Sequence, residues 1–279
     1  VITNISYAHA KNFKSISDIA KAKAEIINNI KKYGSIILNA DDKFFSIHKK
    51  IAKKRRLNIV SFGYSYKSDV KFLKLKKLGK YYKIEVQIFD ELKKFEIRYK
   101  YKNYIKNILS ALAVLYILKI TKNLSFNFFK NFLIPKGRGN ISKIKFKNKK
   151  IFLIDESYNS NPLSLSSAIS NFSNTNIKSE KKHFLMGDML ELGKHSKKLH
   201  KDMSNILNNS KINKIHIYGN DVAETFKGIK KKRKGRILRK ISDIYDLIVR
   251  DLNNNDYLMV KGSNSTGLNK IVETLRGSI

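Results

Sequence analysis

The chain contains no cysteine and no tryptophan, and only two prolines and thirteen glycines in 279 residues. Without cysteine there are no disulfides and no thiolate metal sites, and any covalent catalysis must use another nucleophile. Acidic residues are scarce as well: 22 Asp and Glu stand against 58 Lys and Arg, a formal charge of +36. No apolar run approaches the roughly 20 residues that a bilayer span needs. The longest, from Ile108 to Leu118, is interrupted by Ser110, so no membrane insertion is expected. The opening VITNIS is strand-like rather than a charged segment followed by an apolar one, and no signal peptide is expected either.

What is present is a chain with 42% hydrophobic residues, too many for a disordered tail and enough for two domains of ordinary size. The charge by itself suggests a nucleic-acid or anionic-membrane partner. Its distribution argues otherwise, since only nine of the basic residues are arginines and the lysines are spread among Ile and Asn through every segment. That is the composition of an A+T-rich coding sequence rather than of a basic stripe. The run KKKRKGR from Lys230 to Arg236 reads as a solvated loop without the interleaved aromatics of base stacking, and no nucleic-acid partner is expected.

Along the chain, Ser15 with Asp18 resembles a capping box, Ile19, Ile26, Ile27 and Ile30 follow a helical period, and Gly34 stands at a C-cap position, which predicts a helix from about Ser17 to Tyr33. SIIL (Ser35 to Leu38) and NIVSF (Asn58 to Phe62) read as buried strands on either side of a basic helix. From Val70 to Tyr101 the period changes to alternation, predicting an antiparallel meander, and Ile105 to Ile120 reads as a helix buried on most sides. FLIPKGRGN (Phe132 to Asn140) marks a domain boundary, giving domains 1–135 and 136–279. Beyond it, KIFLI, HFLM, KIHIY and YLMV each end in a polar or glycine-bearing turn before a helix. That alternation predicts an α/β fold with a parallel, doubly wound sheet whose ligands gather at the carboxyl ends of the strands.

Several residues could carry chemistry. At about 100° per residue Lys23 projects between Ile19 and Ile27, inside the expected apolar stripe. Such a lysine either snorkels to solvent or, with a lowered pKa, reacts with carbon dioxide to give a carbamate that ligates Mg²⁺ through oxygen. His9 lies in the turn before that helix and is by itself a weak signal. NADD (Asn39 to Asp42) suits either a nucleotide site or helix capping. Asp155 to Pro162 (DESYNSNP) packs two carboxylates, hydroxyls and carboxamides directly behind a buried strand, more than capping needs. KGSNSTG from Lys261 is a glycine-bearing turn at a helix N-terminus that suits an anion, and it lacks the G-K-[ST] ending of a Walker A loop, which occurs nowhere in the chain. His48, His183, His195, His200 and His216 show no ligand spacing and read as surface or core fillers.

VITNISYAH, SDIAKAKAEI, LNADD, KGRG, IDESYNSNP, GDMLELG and VKGSNSTG, in this order, resemble the Mur ligases of peptidoglycan synthesis over the whole length of the chain. The combination is specific, although each motif alone is weak. The resemblance implies the rear part of a P-loop-type central ATPase domain with its meander, followed by a Rossmann-like C-terminal domain, with the uridine-binding domain and the P-loop placed ahead of Val1. It implies a cytoplasmic, monomeric ligase that uses ATP and Mg²⁺ and forms a peptide bond through an acyl phosphate. SYNSNP with GDMLELG points to UDP-N-acetylmuramoyl-tripeptide and D-Ala-D-Ala as the substrates. The alternatives are a sibling ligase that adds another amino acid and a basic scaffold or RNA-binding protein on the same fold. Carried over by motif, His9 would ligate Mg²⁺, Lys23 would be the carbamylated lysine, Asn39 would contact adenine, Arg138 the phosphates, and Asp155, Glu156 and Asn159 the ATP side. Asn161, Lys261 and Ser263 would hold the incoming dipeptide. One departure stands at Tyr101 and Asn103, where the family pattern has glycine and histidine; Asn107 is kept. Tyrosine tolerates a positive φ poorly, so the turn there is in question.

Overall fold

The structure, a computed structural model, describes residues 1–121, 125–175 and 181–277. It divides into two compact units, residues 1–5 with 13–133, and residues 6–12 with 134–279.

The first unit is a five-stranded sheet in the order of the sequence: β1 (Ser35–Asn39), β2 (Asn58–Gly63), β3 (Val70–Leu78), β4 (Tyr81–Ile88) and β5 (Glu91–Ile97). The first three strands are parallel and the last three form the antiparallel meander that the alternation predicts. A bulge at Leu73 shifts the register between Phe72 and Lys74 and leaves that leucine exposed. The helices are α1 (Ile16–Asn28), α2 (Phe45–Lys54), α3 (Lys102–Ile117) and α4 (Asn127–Asn131). Leu109, Leu112 and Ala113 of α3 pack on Val60, Phe62, Val70 and Val86 of the sheet. Only one face of α3 is fully buried, which corrects the expectation of burial on most sides. Tyr101 precedes α3 with φ −65, an ordinary extended value, so the missing glycine costs nothing at this turn.

Two expectations at the start of the chain need correction. The strand over VITNIS is a single bridge, Ile2 to Leu38. The first helix begins as expected, with the Ser15 hydroxyl accepting the Asp18 N–H at 3.2 Å, but stops at Asn28. Asn28 and Asn29 are poor helix formers whose side chains compete for backbone groups, and the left-handed residue of the following turn is Tyr33 (φ 64), not Gly34.

The second unit is a six-stranded sheet in the order β10-β9-β8-β11-β7-β6, comprising β6 (Asn140–Phe146), β7 (Lys149–Asp155), β8 (Lys182–Gly187), β9 (Lys214–Tyr218), β10 (Lys234–Leu238) and β11 (Tyr257–Lys261). All neighbours are parallel except β6, which runs antiparallel to β7. Alternate side chains of the same strands feed two cores. Ile154, Phe184, Met186 and Met259 face Leu165 and Phe172 of α5 (Pro162–Ser173), Met203 and Leu207 of α6 (Ser196–Asn208), and Phe226 of α7 (Ala223–Lys227). Leu153, Leu185, Leu258 and Val260 face Leu247 of α8 (Asp243–Asp251) and Leu275 of α9 (Leu268–Gly277). This is the doubly wound arrangement read from the sequence, with β6 and β10 added at its edges. All of the run KKKRKGR except Lys230 is therefore structured: Lys231 to Arg233 form a 3-10 turn, Lys234 to Arg236 lie in β10, and the Arg233 guanidinium donates to the carbonyls of Leu207, Ser210 and Ile212 at and beyond the end of α6.

Candidate functional site

The carboxyl ends of β7, β8, β9 and β11 share one edge of the second sheet, and the motif residues of this unit collect there. Asp155 ends β7 and is buried. Its carboxylate accepts from the N–H and hydroxyl of Ser157 (3.1 and 2.6 Å) and the N–H of Gly137 (3.0 Å), and it pairs with Arg276 at 2.9 Å. Its carbonyl accepts the Gly139 N–H at 2.7 Å. These bonds fasten residues 136–139 to the strand end. Gly137 has φ +76, and a Cβ there would stand 2.8 Å from the Tyr158 Cβ, so the loop comes this close only without a side chain. Arg138 is then held out in solvent with its guanidinium 4.1 Å from the centre of the Tyr158 ring. Asp155 is expected on the ATP side of the site; here its oxygens bond Ser157, Gly137 and Arg276 and so fasten the loop that carries Arg138.

Behind this loop lies the most buried charge of the unit. The Lys261 ammonium, on a side chain only 2% exposed, donates to the Asn159 carbonyl at 2.9 Å and faces a Glu156 carboxylate oxygen at 3.4 Å. Burial pushes the Lys261 pKa down, and Glu156 together with its hydrogen bond opposes that shift. Burial likewise pushes the Glu156 carboxyl up, against the pull of Lys261 and Arg138. Each partner thus offsets part of the burial that works against the other's charge. Asn159 and Asn161 hold the loop between them: the Asn159 side chain accepts the Ser160 N–H at 2.7 Å, and the Asn161 side chain caps α5 by accepting the Ser164 N–H at 2.9 Å. The Ser164 hydroxyl answers from the other side, completing a capping box. The Asn161 oxygen is thus taken up by the helix cap, while the residue, expected to hold substrate, lines the open pocket of this edge.

Ser263 latches three strand ends together. Its hydroxyl accepts the Leu190 N–H at 2.8 Å and donates to the Ser160 carbonyl at 3.3 Å, while its own N–H reaches the Asp188 carbonyl at 2.9 Å. In this arrangement the hydroxyl proton is directed at the Ser160 carbonyl. Asp188, at the end of β8, accepts the N–H groups of Asn220 and Val222 (3.0 and 2.7 Å) and so fixes the turn after β9. His200, read as a filler, is wholly buried and accepts the Met189 N–H at 3.0 Å. The GDMLELG loop is therefore tied at Asp188, Met189 and Leu190, and it projects Glu191 to the imidazole of His9, whose Nδ1 it bonds. An open pocket of about 270 Å³ lies here, lined by His9, Tyr158, Ser160, Asn161, Glu191 and Ser263 among others. The Ser160 hydroxyl in its wall is buried without a hydrogen-bond partner.

The first unit holds the two remaining expected residues. Asn39 is buried at the end of β1; its amide donates to the Thr3 carbonyl at 2.7 Å and accepts the Asp41 N–H at 2.9 Å, so it ties the opening segment to the strand. Asp42 accepts from Ile5 and Phe44. Asp41 accepts from Tyr64 and Ser65 and pairs with Lys106 at 2.9 Å. Burial opposes the Asp41 charge, but these donors and Lys106 outweigh it and hold the carboxyl below its usual range. NADD thus resolves toward capping and turn geometry. Lys23, expected inside an apolar stripe, is exposed, and Ile26 of that stripe is 51% exposed. The buried arc of α1 is Ile19, Ala20, Ala24 and Ile27, rotated toward the alanines. Small residues carry little weight in a stripe read from isoleucines.

Arg138, Asp155, Glu156, Asn159, Asn161, Lys261, Ser263 and His9 thus share one edge of the second unit, whereas Lys23 and Asn39 belong to the first. Glu191 and Arg276 were missed. Glu191 lies in a motif that was noticed without a role being given to it, and nothing around Arg276 signals its partner. Among the described residues, no three His, Asp or Glu side chains are grouped to hold a metal ion, and no helix is long and apolar enough to cross a membrane.

Comparison with known proteins matches both parts of the chain to one family. The Mur ligase middle domain matches residues 1–115, and the Mur ligase, glutamate ligase domain matches residues 142–264. The chain is 31% identical to the UDP-N-acetylmuramoyl-tripeptide–D-alanyl-D-alanine ligase of Buchnera aphidicola over 99% of its length and 59% of that protein's. It is 27% identical to the ligase of the same description from Rickettsia prowazekii, over 98% of its length and 60% of that protein's. It superposes with a TM-score of 0.79 on the MurF ligase of Thermotoga maritima in complex with ADP, at 20% identity, covering 99% of this chain and 60% of that one; at this identity the likeness shows the fold. The chain therefore spans about three fifths of the length of these relatives.

Proposed function

This chain belongs to the Mur ligase family, and from that premise we propose that it supplies part of the ATPase domain (residues 1–135) and the C-terminal domain (residues 136–279) of a cytoplasmic, monomeric ligase. That enzyme joins D-alanyl-D-alanine to UDP-N-acetylmuramoyl-tripeptide. The observation that carries this reading is the extent of the match, since relatives named for this reaction align along 98–99% of the chain. The terminal carboxylate of the tripeptide takes the γ-phosphoryl group of ATP, releasing ADP. The dipeptide amine then attacks the acyl phosphate, forming the amide and releasing phosphate.

In this reading the chain works by electrostatics and placement. Negative charge grows on phosphate oxygens in both steps, and Arg138, an exposed cation on a fastened loop, is placed to meet it. Lys261 and Glu156 brace the loop that carries Asn159 and Ser160, with Asp155 and Ser263 as positioning residues. Asn39 shapes the β1 end rather than reading adenine with its oxygen. Mg²⁺ takes one or two protein groups and leaves most of its shell to phosphate oxygens and water. The exposed imidazole of His9, with Nδ1 bonded to Glu191, would be one such group, and the exposed Lys23 of the first unit is proposed separately as the carbamylated lysine. The ion would supply charge neutralisation.

The test uses the full-length enzyme with ATP, the UDP-linked tripeptide and a panel of acceptors, read by phosphate release and product mass. D-Ala-D-Ala is expected to be preferred; preference for a single amino acid would move the reading to a sibling ligase. Lys23→Ala is expected to lower turnover by roughly 100-fold or more and to regain part of it with short carboxylic acids; normal activity in this variant would remove the carbamate. A third outcome, submicromolar RNA binding with a steep salt dependence and no ligation, would favour the scaffold alternative.

A further inference from the structure

Two non-glycine residues with left-handed backbone face each other at the sheet edge of the second unit: His9 with φ 54 and Glu191 with φ 62. That region is sparsely populated for side-chain-bearing residues, and glutamate has no local hydrogen bond that favours it. It persists where the surroundings over-determine it. Here they do. The residues before Glu191 are held by His200 on Met189 and by Ser263 on Leu190, and Leu192 after it is buried. On the other side, Gly193 (φ 56) lies so close to Lys11 that a Cβ would stand 2.7 Å from the Lys11 carbonyl oxygen, and Tyr7 contacts the His195 ring at 5.1 Å. Both turns are thus clamped, and what the clamps produce is one contact, Glu191 Oε2 with His9 Nδ1. The two side chains are 58% and 72% exposed, so pairing as such contributes little stability and does not explain why the backbone is bent to make it.

We propose that Glu191 is a positioning residue for His9. A carboxylate only accepts, so it draws the imidazole proton to Nδ1, the less common tautomer of a free histidine, fixes the ring plane, and leaves the Nε2 lone pair directed away from the loop as a donor toward a cation. Carboxylate partners of metal-binding histidines work in this way. The inference rests on the proposed ligase reading for the cation that His9 would meet.

The test uses the full-length protein with ¹⁵N-labelled histidine at pH 8, the His9 resonances being identified by their loss in His9→Gln. Wild type is expected to show the Nδ1–H tautomer at His9. Glu191→Ala is expected to shift it to Nε2–H and to raise the Mg²⁺ concentration for half-maximal ligation roughly 10-fold or more. Glu191→Gln retains an acceptor oxygen and is expected to keep both properties near wild type. Glu191→Gly relieves the backbone strain while deleting the carboxylate; it is expected to melt no lower than wild type and still to lose the Nδ1–H tautomer. If Nδ1–H persists in Glu191→Ala, or if Glu191→Gly restores the wild-type Mg²⁺ dependence, the inference is overturned. A full-length protein that shows the tautomer shift without ligating D-Ala-D-Ala would overturn the ligase reading and leave the role of Glu191 standing.

Discussion

The strands β8, β9 and β11 carry polar networks at both of their ends, and the two ends are built differently. At the carboxyl ends, buried groups such as Asp155, Asp188, Ser263 and Lys261 fasten loops whose outermost members, Arg138, Glu191 and His9, remain in solvent. Toward the amino ends the network closes on itself. The Arg236 N–H donates to His216 Nδ1 at 2.9 Å, which puts the His216 proton on Nε2, from where it is donated to His183 Nδ1 at 3.1 Å. The remaining His183 nitrogen faces Asp256 at 3.5 Å, and the Arg236 guanidinium grips Asp251 through two bonds of 2.5 and 2.6 Å. Both ends bury polar groups, but only the first converts that burial into presented functional groups. Burial of a charged or polar side chain therefore does not by itself single out a functional edge.

The comparison breaks most visibly at Lys261. Lys261→Met keeps the length and removes the ammonium, leaving Glu156 and the Asn159 carbonyl without their donor. Loss of one partner of a buried pair is expected to cost about 3 kcal/mol, read by urea unfolding; a cost below about 1 kcal/mol would mean that the loop stands without its brace.

The closed end is expected to show itself in pH. Burial pushes His216 down to about 3 and also lowers His183, with Asp256 opposing the shift in the latter and Lys181, Lys214 and Arg236 adding to the positive surroundings. Burial opposes protonation of both rings in the folded protein, so below the ordinary histidine pKa of about 6.5 the unfolded chain takes up protons more readily than the native chain. Stability is therefore complete at pH 7 and, through His216, falls as pH drops from about 6.5 toward 3 by up to about 1.4 kcal/mol per unit, with His183 acting in the same direction. Unfolding at pH 7 and 5.5 measures the slope, and His216→Asn, which keeps an acceptor for the Arg236 N–H, is expected to flatten it by about one proton. An unchanged slope would place the acid sensitivity elsewhere.

The smallest effect expected is at Ser263. Ser263→Ala strands the Leu190 N–H and is expected to cost roughly 1 to 2 kcal/mol. Because the hydroxyl fastens the loop bearing Glu191, the variant is also expected to weaken the His9 tautomer preference in the same NMR measurement, whereas His216→Asn at the closed end is not.

Much of the fold could be read before it was seen, and the exceptions have one cause. The meander, α3 and the four inner strands of the second sheet announce themselves because apolar period survives in them. The edge strands β6 (NISKIKF) and β10 (KGRIL) bury only Ile144 and Leu238; the alternation in β6 is confined to Lys143–Phe146, too short to stand out among the surrounding lysines, and β10 has none. The site was legible as a set of motifs, and its carboxyl-edge location followed from the alternation of strand and helix. The roles inside it were less so: Asp155, Asn161 and Ser263 look like ligands in sequence because they are polar and clustered, and only their three-dimensional partners show that their oxygens are already engaged. Lys23 escaped because the buried face of α1 is made partly of alanine.

The basic run that first suggested a nucleic-acid partner contains one position that lysine cannot take. At Gly235 a Cβ would lie 2.5 Å from His216 Nδ1. Lysine and arginine flank this glycine on either side, but a side chain here would strike the ring that accepts the Arg236 N–H and ties β10 to β9. Inside the most basic run of the chain, a buried imidazole thus fixes the one position from which any side chain is shut out.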